Sequence, residues 1–68
     1  MNYYKTLGEM RTTIERTLSR AGEAEYNSFV YEVLKIHDVS EKQVLNHLNL
    51  LERNGKIELA GDLIVWIR

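Results

Sequence analysis

At Asn54-Gly55 the spacing of apolar residues changes from helical to extended. Beyond that pair, Lys56-Ile57-Glu58-Leu59-Ala60 and Leu63-Ile64-Val65-Trp66-Ile67 are separated only by Gly61-Asp62, the signature of a β-hairpin over about 56–67. Before it the chain reads as helix almost throughout. Tyr3, Leu7, Met10, Ile14, Leu18 and Ala21 recur at helical spacing with Lys5, Glu9, Arg11, Arg16 and Arg20 between them, and Gly22 stands where a helix would stop. This predicts a first helix over about 3–20. Glu23 to Asn27 reads as a short extended link. Asn27 or Ser28 is then suited to cap a second helix over about 28–37, with Phe29, Val30, Val33, Leu34 and Ile36 inward. Ser40, three residues before Gln43, makes a capping box, and Asn54-Gly55 suits the left-handed backbone of a helix end, so a third helix is expected over about 41–54. The expected fold class is therefore α+β, mainly α: three helices followed by a short hairpin.

A chain of 68 residues has interior enough for one packed domain, here residues 1–68. Domains of this size bury only roughly 60% of their unfolded surface, which makes self-association or a partner an early question. Cysteine is absent, which removes disulfides, thiolate metal sites and a cysteine nucleophile. No apolar run approaches a membrane span and the first residues lack the apolar core of a signal peptide, so a soluble, cytoplasmic protein is expected. The net charge is −1 but unevenly spread: residues 1–22 carry four basic and two acidic side chains, 23–41 one and five, 42–68 four and three. A global polycationic mode of binding is excluded, and a local basic face is not.

The order helix, extended piece, helix, turn, helix, hairpin resembles a winged helix-turn-helix domain over nearly the whole chain. In particular Val39 to Ile57, VSEKQVLNHLNLLERNGKI, resembles the recognition helix and first wing strand of that superfamily. The resemblance implies either DNA recognition or protein docking, since the scaffold serves both. On the third helix, Val44, Leu48 and Leu51 fall on one side with His47 at the margin, while Lys42, Asn46, Asn49 and Arg53 share a sector of roughly 60° on the other. Asparagine pairs with adenine in the major groove, and lysine and arginine bind guanine or phosphate. Ser40 and the helix start offer a phosphate contact, as do Lys56 and Arg68 at the base of the hairpin. One of Arg11, Arg16 and Arg20 is placed to touch a flanking phosphate. The wing tip, Gly61-Asp62, holds no cation, which departs from many DNA-binding relatives.

Other features suit a protein partner. Leu45 and Leu50 flank the polar stripe, and the last strand is apolar on both faces: with a two-residue turn Ile57 and Leu59 face Trp66 and Ile64, leaving Leu63, Val65 and Ile67 on the other side, and a three-residue turn exchanges the faces. Tyr3 and Tyr4 are candidates to join such an interface. Equally, the link around Tyr26 is able to add a third strand. No pair of carboxylates is placed across a substrate, His37 and His47 lack a metal-site spacing, and no phosphate-cradling loop occurs, so catalysis, a metal and a cofactor are not expected.

The first expectation is a small DNA-binding transcriptional regulator that docks its third helix in the major groove of double-stranded DNA as a homodimer, through Ser40, Lys42, Asn46, Asn49, Arg53 and Lys56. The second is a protein-interaction module. The chain also resembles the short-winged domains at the C-termini of archaeal minichromosome maintenance helicases and of the middle subunit of replication protein A, and those of membrane-remodelling complexes. That resemblance implies a protein partner.

Overall fold

The computed structural model describes the backbone of residues 3–68 and the side chains of residues 5–68. Its elements are α1 (Tyr3–Ala21), β1 (Glu23–Glu25), α2 (Tyr26–Ile36), α3 (Glu41–Arg53), β2 (Ile57–Ala60) and β3 (Leu63–Trp66). The chain is mainly helical, with one small antiparallel sheet of strand order β1-β3-β2. Tyr3 and Tyr4, named above as interface candidates, lie outside the described side chains.

α1 presents Met10, Ile14 and Leu18 to the core, one residue per turn, and all three are buried. Its end is fixed by Gly22, whose φ of 84° continues the chain out of the helix while its N–H donates to the Leu18 carbonyl at 2.8 Å. The Gly22 carbonyl then accepts from the Trp66 N–H at 2.7 Å, which ties the end of α1 to the last strand.

The link after α1 is a strand. Glu23, Ala24 and Glu25 pair with Val65, Ile64 and Leu63, so β3 is central and has a neighbour on each side. This pairing also moves the start of α2. The Tyr26 N–H donates to the Asp62 carbonyl, and the cap is the carboxylate of Glu25, which accepts from the Ser28 N–H at 2.6 Å. Asn27 and Ser28, the expected caps, lie inside the first turn. That N–H bond holds the Glu25 carboxyl below its ordinary pKa, because it favours the charged form. A second correction concerns Ile36, expected inward but 66% exposed. Its azimuth matches Phe29 and Val33, which are buried, but it is the last residue of α2 and lies past the end of the core. Periodicity gives direction around a helix axis and not depth along it.

α3 starts on the reciprocal capping box of Ser40 and Gln43. It closes in a Schellman arrangement: Lys56 N–H donates to Leu51 C=O at 2.9 Å and Gly55 N–H to Glu52 C=O at 3.0 Å. Gly55 takes the left-handed position, φ 75°, while Asn54 stays at −86°. A methyl group at Gly55 would meet nothing within 4 Å, so Gly55→Ala isolates the conformational cost. The variant should lose about 1 kcal/mol, read in a melting experiment as a fall of about 4–8 °C.

The hairpin turns on two residues. Ala60 pairs with Leu63, and Gly61 alone has a positive φ, 63°, the pattern of a type II′ turn. The two-residue register follows: Ile57 opposes Trp66 and Leu59 opposes Ile64. Ile57 and Ile64 are buried against Val44, Leu48 and Leu51 of α3 and Phe29, Val30 and Val33 of α2, in one continuous core.

Candidate nucleic-acid interface

The core contacts of α3 decide what its other side shows. With Val44, Leu48 and Leu51 buried, Lys42, Asn46, Asn49 and Arg53 are all exposed. Lys56 is exposed just beyond the helix. Ser40 is exposed, but its N–H donates to Gln43 Oε1 and its Oγ accepts from the Gln43 N–H at 3.2 Å. Its main-chain donor is thus engaged in the cap, leaving the hydroxyl proton for a ligand.

Side chains of α1 and part of the stripe, from Asn46 to Arg53, line a groove of about 430 Å³. Asn46, Asn49, Leu50 and Arg53 line it from α3, with Leu7, Met10 and Arg11 from α1. Gln43 and His47 also line it, and among the described residues no carboxylate does, although Glu15 bonds His47 from α1. The structure thereby sorts the three arginines of α1. Arg11 shares the groove with Arg53, whereas Arg16 lines a separate depression with Thr12, Thr13 and His37. Arg20 is exposed in the last turn of α1. The pairing of Arg11 with Arg53 joins positions far apart in sequence, and no local pattern signals it.

The flanking leucines differ. Leu50 is 43% exposed at the groove, whereas Leu45 is half-buried against the core.

His47 is only 6% exposed. Its Nε2 lies 3.1 Å from Glu15 Oε2, linking α3 to α1. A carboxylate accepts, so the ring carries its proton on Nε2, and Nδ1 is a buried lone pair without a partner. Burial pushes the His47 pKa below its ordinary value, an effect opposed by the Glu15 carboxylate. The unfolded chain therefore takes up a proton on His47 before the folded one does. Stability from this residue is complete above an unfolded pKa of about 6.5 and declines as pH falls through the lower folded value. Urea denaturation should show stability falling as the pH drops below about 6.5. His47→Leu should flatten that slope, since leucine fills similar space without titrating; an unchanged slope would assign the loss to other groups.

Among the described residues no cluster of three histidine, aspartate or glutamate side chains is placed to hold a metal ion, and no helix is long and apolar enough to cross a membrane. Comparison with protein-family models, curated proteins and solved structures finds no match for this chain.

Proposed function

We propose that the chain is a winged-helix DNA-binding protein acting in the cytoplasm as a transcriptional regulator, with α3 as the helix that enters the major groove. The observation that carries this reading is the stripe of Lys42, Asn46, Asn49 and Arg53, exposed along α3 and joined across the groove by Arg11, with no carboxylate in the groove lining. In this mechanism Asn46 and Asn49 address base edges by paired hydrogen bonds, with Lys42 at base edges or nearby phosphate. Arg53, Lys56 and Arg11 neutralise phosphate and set the register of the helix on the duplex. The Ser40 hydroxyl adds a phosphate contact at the start of the helix. The tip of the hairpin, Gly61-Asp62, stays out of the minor groove for want of a cation.

So few cations per chain give weak binding by one copy. A homodimer summing two half-sites raises affinity without new contacts, and belongs to the proposal. NMR titration of the labelled chain with a mixed-sequence duplex tests the placement. Amide shifts should fall on 40–56 and around Arg11 and spare β1. Shifts centred on the sheet, or none, would contradict it.

A further inference from the structure

The face of the sheet turned away from the core is built from two cross-strand rows. Glu23, Val65 and Glu58 form one; Glu25, Leu63 and Ala60 form the next. Ile67 continues the central line opposite Lys56, whose carbonyl accepts its N–H. Paired residues share a face, and Ala24, Ile64 and Leu59 in the alternate row pack on the core, so these rows point outward. Leu63 is 36% exposed and Ile67 45%, with Val65 half-buried between them. The central strand thus carries an apolar line, with glutamates on both neighbouring strands along Leu63 and Val65 and Lys56 opposite its far end at Ile67.

We propose that this face docks an amphipathic helix of a partner protein, one whose apolar stripe is bordered on both sides by lysine or arginine. From Leu63 to Ile67 the line is about 13 Å long, the rise of about nine residues of helix. Neighbouring strands lie about 4.8 Å to either side, within the roughly 5 Å radius of a helix with its side chains. A helix laid along β3 therefore brings its flanking residues down over Glu23 on one side and Glu58 on the other, where cations find partners, while the Glu25 carboxylate is held in the cap of α2. Such pairs select the partner and its orientation, while the apolar line supplies the buried area.

Charge also argues against other occupants. Nucleic acid and anionic lipid are repelled by the glutamates. A second copy packed through a two-fold axis at the centre of the line lays the Glu23-Val65-Glu58 row on itself, carboxylate against carboxylate. This surface adjoins that of the DNA reading at Lys56, opposite Ile67, but none of Glu23, Glu25, Glu58, Leu63, Val65 and Ile67 lines the groove beside α3.

The test titrates the labelled full chain with a synthetic helical peptide bearing a leucine stripe flanked by lysines, and with the same peptide carrying glutamate at each lysine. The lysine peptide should shift amides of β1 and β3, and the glutamate peptide should not. The double variant Glu23→Lys/Glu58→Lys should weaken the lysine peptide by about tenfold or more and admit the glutamate peptide. Leu63→Ser, at a position 36% exposed, should weaken it while the chain stays folded at the temperature of the titration, as a melting curve checks. Absent shifts, shifts on α3, or self-association in sedimentation that Leu63→Ser abolishes would each overturn the proposal, the last in favour of a second copy on this face.

Discussion

Arg53→Glu should lower affinity for a DNA duplex by about tenfold or more at low salt and reduce the salt dependence of binding by about one phosphate contact. Arg53 is exposed, so the substitution leaves the core intact. Its effect exceeds loss of one cation because the new carboxylate enters a groove lined by none, beside Arg11 and the amides of Asn46 and Asn49. Arg11→Glu should act in the same direction, although it sits on a different helix, because both arginines line one groove. Arg16→Glu, in the other depression, should have a smaller effect. Anisotropy titrations of the three variants check the ranking, with melting curves as the control on folding. Equal effects from all three would reduce the interaction to net charge. If Arg53→Glu were silent, α3 would not be the helix that meets DNA.

Leu48→Ala is the largest expected loss of stability. Leu48 is fully buried between the helices and the sheet. Removing such a side chain costs about 2–5 kcal/mol, transfer and cavity together. A 68-residue domain has only about 3–10 kcal/mol in all, so the melting temperature should fall by at least about 10 °C. The upper end of that range leaves part of the population unfolded at room temperature. Leu50→Ala, one turn-flank away and 43% exposed, should cost well under half as much. Paired urea titrations measure both. A loss below about 1 kcal/mol at Leu48 would contradict the packing described for α3.

The contrast between these two leucines also shows what the sequence made legible. Features set by neighbours in the chain could be read directly. The Ser40–Gln43 box needs two residues three apart, the end of α3 needs Gly55, and the turn needs Gly61; each is found where those residues stand. The exposed stripe on α3 follows from periodicity once its core positions are known. What could not be read depends on distant segments. Glu23-Ala24-Glu25 has no strand-like apolar pattern of its own, so a third strand at this link is legible only as one of two alternatives, and its pairing with the open edge of β3 decides for it. That pairing then makes Glu25 the cap of α2 in place of Asn27 or Ser28. Ile36 has a core azimuth but no core beside it. That Arg11 and Arg53 line one groove, and that Glu15 meets His47, depends on how α1 is placed relative to α3, which neither helix states alone.

The central claim, that the exposed side of α3 meets DNA, is tested most directly by anisotropy of a labelled mixed-sequence duplex titrated with the protein over a range of salt concentrations. Lys42, Arg53, Lys56 and Arg11 together predict a log–log slope of about −3 to −4 per protomer, with tight enough binding at low salt to define it. No binding at the lowest salt, where attraction to phosphate is strongest, would contradict the claim.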